Sequence, residues 1–277
     1  KANIRPWDKT LYIKVVKGFF REGDQLLVHY GDPISGCPGM RMQTFCEETF
    51  EFKVLVDAFA TCQYIEVPES PVLSIVPGAV AKWKAQLPTM RRVNESFRLL
   101  LKAEDRWGNP ADQTDFRLRF SPTQSVNGLP SETIDVSLKD GVLFFEGLSV
   151  PVPGDLSVEL HDAKGDHVTR SNPLRIIEDS ELVPFWGELH GQSEETIGTN
   201  SIYDYFAFAR DKAGLDVIVH QGNDFQITNE FWEKIQSMTQ QFLDEGELVT
   251  FPGYEWSGNT GLGGDRNVLF FQEGEPI

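Results

Sequence analysis

The sequence is poor in cysteine, in long apolar runs and in positive charge, and each shortage narrows the class of protein. Three cysteines, Cys37, Cys46 and Cys62, are too few for a disulfide scaffold, although Cys37 and Cys46 could pair in an oxidising compartment. No stretch approaches the ~20 apolar residues of a membrane helix, so we expect no membrane partner. Lys and Arg number 25 against 42 Asp and Glu, a net charge of −17. A field of this sign disfavours binding to nucleic acid.

The composition nevertheless supports a folded protein of more than one part. Of the 277 residues 40% are hydrophobic, and 20 of them are Phe, which is enough for a core. The charge is uneven: residues 1–180 carry 21 basic and 25 acidic side chains, whereas 181–277 carry 4 and 17. A change of sequence pattern falls at the same place, so we place a domain boundary near Asp179.

Before this boundary the chain has the two-residue period of half-buried strands and no convincing helical period. Gly- and Pro-containing turns separate the apolar runs, and residues 105–110 form a turn cluster between two of them. The pattern predicts two antiparallel β-sandwiches, over 1–85 and 86–178, the second of them immunoglobulin-like. The predicted strands are 11–20, 25–30, 50–59, 97–103, 116–120, 142–150, 155–160 and 174–177.

After the boundary, helical periods alternate with short apolar strands. Helices are predicted near 201–213, with Ser201 and Asp204 as a capping pair, and near 229–244, with Thr228 as N-cap. The order β-α-β-α-β-β predicts a sheet with parallel pairs. So few elements cover little of their own apolar surface, and we therefore expect 182–277 to be the first part of an α/β domain that continues beyond Ile277. The predicted strands are 185–189, 215–219, 248–251 and 267–271.

The ends of these strands carry residues of the types that commonly bind metals. His190, His220 and Glu255 follow the first three strands, and Asp265 precedes the fourth. Because the carboxyl ends of parallel strands meet at one edge, we expect the four side chains to share a cleft. Imidazole and carboxylate are ligands of Zn, Mn and Fe(II), and such an ion activates water and holds an anionic substrate oxygen. The alternative for each residue is a hydrogen-bonded structural role.

Five segments carry a resemblance to a known family: FWGELHGQS at 185–193, YFAFA at 205–209, AGLD at 213–216, FPGYEWS at 251–257 and DRNV at 265–268. They resemble the family catalogued as domain of unknown function 3604, which is related to the polymerase and histidinol phosphatase (PHP) superfamily of distorted (β/α)7 barrels that hydrolyse phosphoesters with bound metals. The resemblance implies that 182–277 begins such a barrel, preceded by β-sandwich segments. The opening His-x-His of the superfamily is here His190-Gly191-Gln192, so Gln192 takes the place of the second histidine.

Two functions are consistent with these features. The first is a metal-dependent hydrolase of a small anionic substrate, a phosphoester, with Glu255 and Arg266 as candidate catalytic residues. Arg266 would pair with the substrate anion or, alternatively, with the neighbouring Asp265. The second is a binding or structural protein with a degenerate barrel and no turnover. The metal ligands of the first are His190, His220, Glu255, Asp265 and Gln192.

Overall fold

A computed structural model describes residues 10–39, 41–258, 263–272 and 274–277. The chain divides into two compact units, Lys1–Thr44 and Phe45–Ile277. Residues 1–9, the start of the first predicted sandwich, lie outside the described residues.

The described part of the first unit contains one short 3₁₀ turn, Pro33–Ser35, and no strand. The strands predicted over 11–20 and 25–30 are therefore wrong. Their apolar side chains lie exposed, among them Val16 (88%) and Leu27 (72%). A high β-propensity measures how well a side chain packs against neighbouring strands, and the described residues of this unit supply no such neighbours.

The second unit begins with four short strands. They form two separate antiparallel ladders, β1 with β4 and β2 with β3. The described residues up to 85 therefore form no packed sandwich of the kind predicted over 1–85. The strand predicted over 50–59 is divided between the end of β1 and β2. Their bounds are β1 Glu47–Glu51, β2 Leu55–Val56, β3 Ile65–Glu66 and β4 Val72–Ile75.

A β-sandwich follows, close to where the sequence predicts the second one. Its three sheets have the strand orders β10-β7-β5, β13-β12-β8-β9 and β11-β14-β6. All pairs are antiparallel except β14 with β6. The first strand crosses residue 85, so the predicted boundary at 85/86 falls inside a strand. The bounds are β5 Lys82–Gln86, β6 Met90–Arg92, β7 Phe97–Glu104, β8 Gln113–Pro122, β9 Ile134–Leu138, β10 Val142–Leu148, β11 Gly154–Leu156, β12 Val158–Asp162, β13 His167–Arg170 and β14 Leu174–Ile177.

The sandwich core is built by the alternation that the sequence shows. On β7 the inward side chains Leu99 and Leu101 are fully buried and pack with Leu118 of β8. The rings of Phe120 and Phe145 pack against each other edge to face, with 5.1 Å between their centroids. Burial of aliphatic and aromatic side chains on the inner faces holds the sheets of the sandwich together.

The remaining residues form an α/β arrangement. Strands β15, β16 and β17 make a parallel sheet in that order, and β18 pairs with β19 as an antiparallel hairpin. The predicted helices and the parallel pairing are confirmed; a complete barrel is not shown. The bounds are β15 Gly187–Gly191, α1 Ile202–Phe208 continuing as a π-helical turn Ala209–Ala213, β16 Val217–His220, α2 Asn229–Phe242, β17 Val249–Phe251, β18 Gly253–Trp256 and β19 Arg266–Leu269.

Local signals in the sequence determine where the two helices begin. Ser201 and Asp204 form the predicted capping box on α1, and the hydroxyl of Thr228 accepts a hydrogen bond from the amide of Phe231 on α2. The buried faces of the helices meet in a second core that contains Phe206 and Ile235. Among the described residues no helix is long and apolar enough to cross a membrane.

Candidate functional site

The carboxyl-end edge of the small parallel sheet carries a cluster of five polar side chains, His190, Gln192, Asn223, Glu255 and Asn267, which we call the polar cluster. Three backbone pairings bring them together. The Gly191–His220 pairing aligns β15 with β16, a parallel bridge sets Asn223 beside Glu255, and Asn267 lies opposite Glu255 in the hairpin. Facing residues of paired strands project to the same side, so these side chains converge.

Glu255 is the centre of the polar cluster and is 6% exposed. Its Oε2 accepts hydrogen bonds from Asn223 Nδ2 at 2.6 Å and from Gln192 Nε2 at 3.0 Å. Its Oε1 accepts none from any described residue and lies 3.8 Å from Nε2 of His190. One carboxylate oxygen is therefore satisfied by amides, and the other faces the histidine.

His190 is held in one tautomer by Asn267. The Asn267 amide nitrogen donates to the carbonyl of Leu189 at 2.6 Å, so its Oδ1 faces Nδ1 of His190 at 2.8 Å. An oxygen can only accept, and Nδ1 of the neutral ring therefore carries the proton. In the neutral ring the lone pair of Nε2 then faces Glu255, whereas a protonated ring would pair with that carboxylate as an ion pair. A second group that orients a histidine in this way is typical of histidines that bind metals.

The structure places His220 elsewhere. Its ring is fully buried, lies between the rings of Tyr205 and Phe231, and has Ser193 Oγ 2.8 Å from its Nε2. The backbone amides of Ser193 and Gly222 also point at its two ring nitrogens, at 3.1 and 3.2 Å. Ser193 is itself fully buried, so this pair joins the loop after β15 to the end of β16, and neither residue reaches solvent.

Asp265 and Arg266 also lie apart from the polar cluster. Asp265 is exposed at the start of β19, and its side chain makes no hydrogen bond or ion pair with the described residues. Arg266 lies opposite Trp256 in the hairpin register, one position away from Glu255 and so on the other face. Its guanidinium donates to the carbonyls of Gly263, Gly264 and Asp265.

Of the predicted metal ligands, the structure thus brings together His190, Glu255 and Gln192. Asn223 and Asn267 complete the cluster but were not among the predicted site residues. Asn223 follows the second predicted strand and Asn267 begins the fourth, but the prediction took only His and carboxylate residues from the strand ends, and Gln192 only from the resemblance. Among the described residues no group of three or more His, Cys, Asp or Glu side chains is placed to hold a metal ion.

Burial lowers the pKa of His220 to about 4, and the nearby carboxylate of Glu195 only partly opposes this effect. The unfolded chain, with an ordinary histidine pKa near 6.5, binds the proton first. We therefore expect the protein to lose stability as the pH falls from about 6.5 to about 4, with His220 neutral above that range.

Urea unfolding at several pH values would measure this loss, and nuclear magnetic resonance of the ring would follow its protonation. His220→Gln should remove this part of the pH dependence, whereas His167→Gln, at an exposed position, should retain it. A His220 ring that titrates near pH 6.5 in the folded protein would contradict the assignment.

No family model matches the chain. It is 23% identical over 244 residues to an uncharacterised protein of Chlamydia pneumoniae, a match that covers 85% of this chain and 38% of that protein. An uncharacterised protein of Chlamydia trachomatis serovar D is 22% identical over 250 residues, covering 87% and 39%. The chain thus spans about two fifths of the length of these curated relatives. Because they are uncharacterised, they assign no activity to it.

Two solved structures match about a third of the chain each. The Yersinia pseudotuberculosis adhesin InvE is 15% identical with a TM-score of 0.26, and the match covers 34% of this chain and 26% of the adhesin. The CARDB domain of a Pyrococcus furiosus protein is 13% identical with a TM-score of 0.24, covering 35% and 96%.

Proposed function

We propose that this chain carries part of a metal-dependent hydrolase related to the PHP superfamily, in which His190 and Glu255 are two ligands of one divalent ion, Zn, Mn or Fe. The observation that supports this is the pair of free atoms, His190 Nε2 and Glu255 Oε1, 3.8 Å apart. When the ring is neutral, a lone pair and a carboxylate oxygen at this distance repel each other, and a divalent cation between them removes the repulsion. Two bonds of about 2.0–2.2 Å span the gap.

The residues around this pair have definable roles in the proposal. Asn267 accepts a hydrogen bond from Nδ1 of His190, which in the neutral ring leaves Nε2 available to a metal, and the amides of Gln192 and Asn223 hold the Glu255 carboxylate in place through Oε2. A bound divalent ion supplies a Lewis acid that lowers the pKa of water and binds an anionic oxygen of the substrate, a small phosphoester. Arg266 bonds to its own loop, so we assign it no role in holding that anion.

The described residues supply only two of the ligands. The other ligands would come from a further segment of the same domain. The matched region is 38–39% of the length of the curated relatives, which leaves room for such a segment. The parallel sheet is also open: four of the five residues of β15 are exposed, and parallel sheets are normally covered on both faces.

A second candidate is a binding or structural protein whose barrel has lost turnover. The specific observation in its favour is that one carboxylate oxygen of Glu255 already accepts hydrogen bonds from the side-chain amides of Gln192 and Asn223. Gln192 also occupies the position of the second histidine in the His-x-His of the PHP superfamily. In this case the cluster holds the strand ends together and needs no metal.

Metal titration of the full-length protein decides between the two candidates. With Mn²⁺ or Zn²⁺ alone as probe, we expect saturable binding that His190→Ala and Glu255→Gln each weaken by at least about tenfold, because each removes a ligand. Asn267→Ala should weaken it by about 10–100-fold, since it releases the histidine tautomer. Hydrolysis of p-nitrophenyl phosphate should fall in the same variants.

Two matched variants control for charge and for the loss of a ring. Glu132→Gln and His167→Ala change the same residue types at exposed positions of the sandwich and should bind metal like the wild type. If the full-length protein binds no metal, or if Glu255→Gln binds it unchanged, the hydrolase proposal is wrong and the structural candidate stands.

A further inference from the structure

A second site lies where the β-sandwich packs against the α/β part of the same unit. The outward side chains of β7 reach the far end of the α1 segment: Lys102 Nζ donates to the carbonyl of Ala213 at 3.4 Å, and Arg98 Nη2 to that of Leu215 at 3.4 Å. Leu100, 3% exposed, fills the space beside Gly214, where an added Cβ would lie 2.6 Å from its Cδ2. These contacts define a seam between the two parts.

The seam encloses a small cavity lined by two arginines. Its volume is about 40 Å³, above the roughly 10–15 Å³ that a single water molecule requires. Arg91 and Arg98 come from the sandwich, and Trp186 and Asp216 from the α/β part. Gln86 adds an amide to the lining. With two guanidinium groups and one carboxylate, the lining carries a net positive charge.

Arg91 is the unusual member of this lining. It is only 8% exposed, yet no carboxylate of the described residues lies within 4.0 Å of its guanidinium. Its contacts are one hydrogen bond from Nη1 to the carbonyl of Met90, 2.8 Å, and the ring of Phe185, 5.4 Å from Cζ. A buried charge normally has a counter-charge, because desolvation without one is costly.

The other charged groups at the seam do not fill this role. Asp216 Oδ2 accepts a hydrogen bond from the backbone amide of Trp186 at 2.8 Å and forms no ion pair with Arg91. Glu247 lies 3.2 Å from Arg98 Nη1 and is more than half exposed. Arg98 thus has an acidic partner on its solvent side, whereas Arg91 has none.

We propose that this cavity binds a tetrahedral oxyanion, phosphate or the phosphate group of a small ligand, between Arg91 and Arg98. Guanidinium groups match the several acceptor oxygens of such an anion. The bound anion supplies the counter-charge of Arg91 and joins the sandwich to the α/β part. The site lies apart from the polar cluster and does not depend on the proposed hydrolase activity.

Calorimetric titration of the full-length protein with inorganic phosphate at constant ionic strength tests the proposal. We expect saturable binding of one equivalent, weakened at least tenfold in Arg91→Met. Arg119→Met removes an exposed arginine of the same sandwich and should bind as the wild type does. Glycerol phosphate as a second titrant distinguishes the two sources of the anion. If it binds as tightly as inorganic phosphate, the site accepts the phosphate group of a larger ligand; if it does not bind, the site accepts only free phosphate.

A second readout keeps the test decisive if Arg91→Met does not fold. Phosphate should change the fluorescence of Trp186, which lines the cavity, and this change should be absent in Trp186→Phe. Arg98→Met should also lose at least tenfold in affinity. Absence of saturable phosphate binding in the wild type would overturn the proposal. Wild-type phosphate affinity in every folded variant among Arg91→Met and Arg98→Met would also overturn it.

Discussion

Replacing Phe206 by alanine is expected to destabilise the α/β part by about 3–5 kcal/mol, the cost of removing a fully buried aromatic ring. Phe206 is 0% exposed and stacks on Phe242, with ring centroids 5.5 Å apart and planes inclined by 23°. It therefore joins α1 to α2. The neighbouring Tyr205 donates a hydrogen bond to the carbonyl of Val219 at 2.9 Å, so loosening α1 also releases the end of β16 that precedes His220.

Hydrogen exchange of the α2 amides measures this loss without requiring the whole chain to unfold in one step. Phe208→Ala is the matched control, because Phe208 lies on the same helix but is 48% exposed; it should cost less than about 1 kcal/mol. Equal effects of the two substitutions would show that Phe206 does not hold the helices together.

Replacing Gly198 by alanine is expected to cost about 2–3 kcal/mol and to displace Gln192 from Glu255. A Cβ at this position would lie 2.3 Å from the carbonyl oxygen of Gln192 and 2.8 Å from the amide nitrogen of Ser193. Both are backbone atoms, so no side-chain rotation relieves the clash, and the loop must move. Gly198 also donates its amide to the carbonyl of Ser193 at 2.9 Å, which holds the turn closed.

Thermal unfolding together with Mn²⁺ titration of the full-length protein measures both effects. Gly246→Ala is the control: its backbone has a φ of +95°, but nothing lies within 4 Å of the added Cβ. It should cost about 1–2 kcal/mol through backbone strain and leave the polar cluster intact. An alanine at 198 that leaves both stability and metal affinity unchanged would contradict the loop packing described for the site.

Much of the second unit could be predicted from the sequence because its signals are local. The two-residue alternation of β7, the capping box at Ser201 and Asp204, and the helical period of α2 each specify a backbone conformation within a few residues. The expectation that His190 and Glu255 lie near the carboxyl edge of the parallel sheet followed from similar reasoning, since that edge collects such residues, although Glu255 lies within the additional strand β18. The strands predicted at the start of the chain are wrong because a strand requires partner strands, and the period of one segment contains no information about its partners.

The composition of the polar cluster was decided only by the tertiary structure. His220 ends its strand as the sequence predicted, but the packing of Tyr205 and Phe231 turns its ring into the core, and Ser193 completes its surroundings. Asn267 instead reaches His190 because hairpin register places it opposite Glu255. The sequence by itself determined which residue types stand at the strand ends. Which of them meet depends on register, strand alternation and core packing between segments distant in the chain.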